Sequence, residues 1–293
     1  MRGLFGVLCR IIRGVLGVIF TIILLAVCAF IDARYIEPKL LMVKKQEIIT
    51  NKLILNEPLK IVQFSDVHLG KDYTLTDFKR VIDKVNALEP DLIIFTGDLI
   101  DNNKSFNEEE GVAALLKELR ATYGKFAVYG NHDHGGNGTK RYARMMAASD
   151  FILLKDSSEI ITLENGQKLA IIGIDDIILG HPDLEVAFKG IEASAFNLFI
   201  SHAPDVVDKV KMQPIDLQLS GHSHGGQVRL PFIGAPFTPP QGQKYIKGLY
   251  PIEESNGMYL YVNSGIGTSQ LPYRFMNMPE ITLLLVSSKA QDR

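Results

Sequence analysis

Five short apolar runs in this chain each stop at a knot of Asp, His, Asn or Gly, and that repetition constrains the fold more than any other feature. Residues 60–65 (KIVQFS) run into Asp66-Val67-His68, and residues 91–96 (DLIIFT) into Gly97-Asp98. Residues 125–129 lead to Gly130-Asn131-His132-Asp133, residues 197–201 to His202, and residues 216–220 to Gly221-His222-Ser223-His224. A short, continuously apolar run is the mark of a strand buried on both faces. Phe78, Val81, Ile82, Val85 and Leu88 keep helical spacing up to Pro90, and residues 108–122 read as a second helix. This β-α-β-α-β rhythm predicts an α/β fold with right-handed crossovers. Further on, residues 160–163 and 168–174 flank Asn165-Gly166, a hairpin signal, and short β-rich runs recur at 259–263 and 281–286. Two sheets, each sending loops to one rim, account for the pattern.

The loops at the carboxyl ends of strands in α/β folds converge on the ligand crevice. Six or more carboxylate, imidazole and amide side chains are therefore expected at one mouth. Such a set suits a pair of hard or borderline divalent cations, with Asp98 placed to bridge them. The two cysteines, Cys9 and Cys28, both precede the globular part, which excludes a disulfide framework or a thiolate site there. Taken singly, Asp-x-His is ordinary loop polarity and His202 an ordinary edge histidine. Consecutive bulky polar groups at strand ends serve packing badly, however, and all five blocks together point to a metal centre.

Asp66-x-His68, Gly97-Asp98, Gly130-Asn131-His132-Asp133, His202 and Gly221-His222-x-His224 resemble the five-block signature of calcineurin-like metallophosphoesterases, over roughly residues 58–286. The N-terminal segment, His222-Ser223-His224-Gly225-Gly226-Gln227 and residues 262–269 resemble the membrane-associated bacterial YkuE/YaeI branch, which includes UDP-diacylglucosamine pyrophosphatases. The resemblance implies a β-sandwich of two mixed sheets flanked by helices. It implies two divalent metal ions (Mn, Fe, Zn or Co), one on Asp66, His68, Asp98 and His224, the other on Asp98, Asn131, His202 and His222. No ligand of the pattern is missing, so a hydrolase of phosphate esters or pyrophosphates is expected. His132 is left over as the general acid, its ring oriented by Asp133 or Asp66. His134 and the glycines after it form either a substrate-contacting lid or a solvated connector. Arg274 is either a phosphate contact or a surface arginine. The proline-rich stretch 225–240 puts Leu230, Phe232, Ile233 and Phe237 beside two ligands, either as an exposed acyl-binding loop or as core packing.

Residues 14–31 carry no charge, and those 18 positions span roughly 27 Å as a helix, close to the thickness of a bilayer. An uncleaved membrane anchor (1–31), a stalk (32–51) and a catalytic domain (52–293) are expected; the competing reading is a cleaved signal peptide, which the length of the run disfavours. Arg2, Arg10 and Arg13 favour a cytoplasmic N-terminus with the enzyme outside, although Arg34, Lys39, Lys44 and Lys45 on the far side reduce the asymmetry. The formal net charge is −2 with no basic stripe, so no nucleic-acid partner is expected. A phosphomonoesterase, a nucleotide phosphodiesterase and a lipid-linked pyrophosphatase all fit the motifs. A non-catalytic, metal-binding membrane protein is disfavoured by the intact His132.

Overall fold

Two six-stranded sheets pack face to face and carry the loops of interest on one rim. The structure, a computed structural model, describes residues 2–289. The first sheet contains β1 (Met42–Thr50), β2 (Leu59–Phe64), β3 (Leu92–Phe95), β4 (Lys125–Ala127), β5 (Phe151–Leu153) and β12 (Glu280–Ser288), in the order β1-β12-β2-β3-β4-β5. The second contains β6 (Ser157–Thr162), β7 (Lys168–Gly173), β8 (Phe196–Ile200), β9 (Leu217–Ser220), β10 (Gly248–Pro251) and β11 (Tyr259–Val262), in the order β10-β11-β9-β8-β7-β6. β2, β3, β4 and β5 run parallel, as do β7, β8, β9 and β11. Their carboxyl ends therefore emerge together. The antiparallel pairs β12 with β2, β6 with β7 and β10 with β11 make both sheets mixed.

The apolar runs form strands because both faces are covered. Ile61, Leu92, Ile94, Phe126, Leu198 and Leu219 fill the layer between the sheets. On the outer face of the first sheet, Val62, Phe64, Ile93 and Phe95 meet the helices α2 (Leu75–Asn86), α3 (Glu109–Lys117) and, after the short turn α4 (Asn131–His134), α5 (Thr139–Ala148), which follow α1 (Arg2–Ile31) in chain order. α2 buries Phe78, Val81, Ile82 and Val85 and is opened by a capping box in which Thr74 and Asp77 satisfy each other's backbone N–H. The outer face of the second sheet is closed by Val206, Val207 and Val210 on Phe199 and Leu260.

The segment 32–51 is not a free stalk. α1 runs on through a π turn (Asp32–Ile36) and a 3-10 turn (Glu37–Lys39), and Met42–Thr50 then joins the first sheet as an edge strand parallel to β12. Its polar, lysine-rich alternation leaves most of the outer residues in water, which is how an edge strand reads and why it resembles a connector in sequence. Residues 14–31 of α1 carry no charge, and the most apolar 18-residue window of the helix has a mean hydropathy of 2.9 with none of it buried against the rest of the chain. The helix is long and apolar enough to cross a membrane.

Candidate active site

The five polar blocks meet at the rim, and the backbone is strained to bring them there. Asp66, His68, Asp98, His222 and His224 all have positive φ, between 48° and 64°. Each such non-glycine residue in the left-handed region costs on the order of 1 kcal/mol, a strain that clusters at functional sites. Two glycines permit the close approach. A Cβ at Gly130 would overlap the Asp98 carboxylate, and one at Gly221 would overlap Ser65 and the Asp66 carboxylate.

The donor atoms of Asp66, His68 and His224 lie within 4.8 Å of one another, and so do those of Asp98, His202 and His222. Asp98 Oδ2 reaches both groups, 3.2 Å from His202 Nε2 and 3.6 Å from His68 Nε2. Surrounding carbonyls orient the rings. His202 Nδ1 donates to the Thr96 carbonyl at 2.7 Å, and His222 Nε2 donates to the Pro240 carbonyl at 2.8 Å. Neutral rings with those protons point two lone pairs at each other, His202 Nε2 against His222 Nδ1 at 3.1 Å. His68 Nε2 and His224 Nε2 also face each other at 3.1 Å, and the Nδ1 atoms of both rings are buried without a hydrogen-bond partner. The Asn131 side-chain oxygen is buried here without a hydrogen-bond partner. Converging lone pairs and an orphaned amide oxygen are unfavourable on their own and are what divalent cations satisfy. The residues fit such a pair.

The electrostatics agree at His222 and His224 and differ at His202, where burial would lower the pKa but the Asp98 carboxylate beside the ring raises it to about 10, so positive charge is favoured at this point. Burial pushes the Asp98 carboxyl up, but the imidazoles around it, His202 foremost, hold it well below the usual range. Burial, reinforced by His202, lowers the pKa of His222; burial together with His68 lowers that of His224. Both rings are thus kept neutral, the form that ligates.

Several assignments change. The Asp133 carboxylate does not orient the His132 ring. It is buried and accepts the backbone N–H groups of Asp98 (2.8 Å), Leu99 (3.0 Å) and Gly130 (2.8 Å), tying two strand-end loops together. Burial and the nearby Asp98 charge raise its pKa to about 7. The His132 ring instead donates from Nδ1 to the backbone carbonyl of Asp101 at 2.7 Å, with the Asp101 carboxylate 3.9 Å away. Asp101 stands only three positions after Asp98 but does not itself close an apolar run, so the sequence does not mark it. The His134 ring stacks on Tyr129, and its Nε2 lies 2.7 Å from the buried Asp175 carboxylate. The glycines after it are held too, since Asn103 donates to the carbonyls of His132 and Gly135. Arg274 is wholly buried, its guanidinium spent on the carbonyls of Ser264, Gly267 and Asn277. Backbone carbonyls at the wall of the Asp66 loop, not a phosphate, take its donors.

A cleft of about 540 Å³ opens over these groups. Asp98, His132 and His224 line its floor, while Phe237, Pro240 and Leu271 form an apolar wall. The proline-rich loop therefore did not fold into the core; Phe232 and Phe237 point into solvent.

A mixed two-sheet sandwich with this strand-end constellation defines a metal-dependent phosphoester hydrolase, and the chain belongs to the calcineurin-like phosphoesterase family, whose pattern residues 59–226 match. It is 40% identical to the uncharacterized metallophosphoesterase YkuE of Bacillus subtilis, over 95% of this chain and 97% of that one. It is 30% identical to the phosphodiesterase YaeI of Escherichia coli, over 78% and 82%. The UDP-2,3-diacylglucosamine pyrophosphatase LpxG of Chlamydia trachomatis shares 28% identity over 92% and 97%.

Proposed function

We propose that this chain is a two-metal hydrolase that cleaves phosphodiester or pyrophosphate bonds in lipid-linked molecules beside the membrane that α1 spans. The observation that carries this reading is the cleft, in which metal-ligating groups face an apolar wall of Phe237, Pro240 and Leu271. A free nucleotide or a small phosphomonoester needs no such wall. The names of the related YaeI and LpxG, a phosphodiesterase and an acylated-sugar pyrophosphatase, support the same class.

In this reading Asp66, His68, Asp98 and His224 hold one cation, and Asp98, Asn131, His202 and His222 the other. The cations supply Lewis acidity toward water and the phosphoryl oxygens. The chain does the rest. Thr96 and Pro240 carbonyls keep the His202 and His222 rings in the tautomers that ligate. The Asp101 carbonyl holds the His132 proton on Nδ1, which leaves Nε2 to carry a second proton toward the leaving oxygen. Burial lowers the His132 pKa, but the charge of Asp98 and the Asp101 carbonyl outweigh it, so the ring is more readily protonated than an ordinary histidine.

Twelve large apolar side chains between Val15 and Ile31 are exposed. Each would forfeit about 1.5–3 kcal/mol in water, more in total than the roughly 5–15 kcal/mol that holds a domain together. A bilayer is the environment that removes this cost. Arg2, Arg10 and Arg13 support a cytoplasmic N-terminus with the catalytic domain outside, with Arg34, Lys39, Lys44 and Lys45 on the far side reducing the asymmetry.

Purified protein with Mn²⁺ should hydrolyse a UDP-linked acylated sugar faster than bis-p-nitrophenyl phosphate, and p-nitrophenyl phosphate slowest. Faster turnover of the monoester would overturn the substrate class. Asp98→Asn should lose both metals and several orders of magnitude in rate. Two tightly held metals and near-normal turnover in that variant would show the ligand set to be wrong.

A further inference from the structure

The turn that follows the fifth polar block exposes apolar side chains that none of the described residues covers. Among the described residues, Phe232 and Phe237 are the two most exposed large apolar side chains, and Ile233 beside them is 71% exposed. The exposure is built in. Phe232 sits at φ 65°, a left-handed conformation unfavourable for a bulky residue, and the turn is closed by the Leu230 N–H on the Gly234 carbonyl and the Gly234 N–H on the Leu230 carbonyl. A strained, closed turn that presents a phenyl ring and an isoleucine to solvent is a surface awaiting a partner.

The fold says which partner. Three chain segments lie side by side between this turn and the end of α1. Phe30, at the end of α1, has its ring 5.8 Å from that of Tyr273, and the Arg274 N–H donates to the Ala33 carbonyl at 2.9 Å. The next residue, Phe275, is bridged in turn to Val228, with the Arg229 N–H on its carbonyl at 2.8 Å. Residues 230–234 continue directly from that bridge. The exposed Leu271 and Met276 lie on the middle segment and join the two apolar surfaces. The turn is thus moored beside the point where the apolar helix leaves the domain.

We propose that Phe232 and Ile233 insert into the interfacial layer of the same bilayer that α1 spans, so that the cleft opens onto the lipid headgroups rather than onto bulk water. The inference rests on the reading of α1 as a membrane span. Interfacial insertion of aromatic and aliphatic side chains is a recognised membrane contact that needs no second helix. Its consequence is that a scissile phosphate enters the cleft while its acyl chains stay in the leaflet.

The chain contains no tryptophan, so Phe232→Trp supplies a single fluorescent reporter. The full-length variant is placed in phosphatidylcholine–phosphatidylglycerol vesicles whose acyl chains are brominated either near the ester or near the methyl end. A second variant, Met212→Trp, reports an exposed site before the amino end of β9, on the opposite rim. The F232W emission should be blue-shifted, shielded from acrylamide, and quenched more by the shallow bromines than by the deep ones. The M212W emission should respond to acrylamide alone. In addition, Phe232→Asp with Ile233→Asp should slow hydrolysis of a vesicle-embedded acylated substrate and leave bis-p-nitrophenyl phosphate turnover unchanged. If F232W behaves like M212W in protein that resists carbonate extraction, the insertion is refuted while the anchor stands. Extraction of the protein by carbonate overturns both.

Discussion

At His132 a single hydrogen bond fixes the tautomer of the ring. A backbone carbonyl can only accept, so the 2.7 Å contact to Asp101 places the ring proton on Nδ1 and leaves Nε2 facing the cleft. The ring lies edge-on to His68 with centroids 4.5 Å apart, close enough to the proposed metals to meet a leaving oxygen. His132→Ala should therefore keep its full metal content, measured by elemental analysis, while kcat falls by about 10²–10⁴-fold, the range for a lost general acid. The loss should be steepest for substrates with poor leaving groups. Loss of metal in step with activity would make His132 a ligand instead. The histidines, Asp66 and Asp98 were all legible in the sequence because they stand directly after apolar runs. Asp133 belongs to the same block but faces three backbone N–H groups, and nothing local distinguishes it from a carboxylate that faces a histidine.

The connection between α4 and the loop after β7 joins the two sheets at their rim through His134 and Asp175. The hydrogen bond that His134 donates to Asp175 raises the His134 pKa; burial would raise that of Asp175, but the bonds it accepts from His134 and the His181 N–H bring it below the usual range. The signs define a window. The raised histidine contributes stability that is complete below its unfolded pKa of about 6.5 and is lost as pH rises through the folded value. The lowered carboxylate contributes stability that is complete above its unfolded pKa of about 3.9 and is lost as pH falls through the folded value. Asp175→Asn should therefore lower Tm most between about pH 4 and pH 6.5, and the gap to the wild-type curve should narrow toward pH 9. A gap independent of pH, measured by thermal melts across that range, would mean that the pair is not ionic. In sequence these two residues look like separate polar loops, since 41 positions part them.

Across the molecule, the segment leaving α1 is built into the catalytic domain. The buried Glu37 carboxylate accepts the N–H groups of Met276 (2.7 Å) and Asn277, and the Asn277 side-chain amide donates in turn to the His224 carbonyl at 2.5 Å. Removing residues 1–31 leaves this clamp intact, and a soluble enzyme with normal kcat and metal content is the expected product. Removing residues 1–41 leaves the buried Asn277 N–H and the part-buried Met276 N–H unpaired, at about 1–3 kcal/mol for the buried group and less for the other. For a domain of this size that corresponds to a Tm lower by about 5 °C or more, with weaker metal retention from the loosened His224 loop. Scanning fluorimetry of the two truncations compares them directly, and equal Tm values would reduce Glu37 to a bystander.

The sequence by itself determined the chemistry, because ligand types placed at the ends of apolar runs are a local pattern and the α/β rhythm carries those ends to one rim. It also determined that one helix is long and apolar enough to cross a membrane, since an uncharged run of 18 residues is read from composition alone. What the tertiary structure decided is which polar groups serve the site and which serve the scaffold. Asp66 accepts the His222 N–H across 156 positions, Arg274 turns inward onto three carbonyls, and residues 42–50 find their partner in the last strand. The burial of a charged side chain depends on donors and acceptors brought from distant segments, and a polar edge strand is defined by the neighbour it pairs with. Neither is a property of the residues around it in the chain.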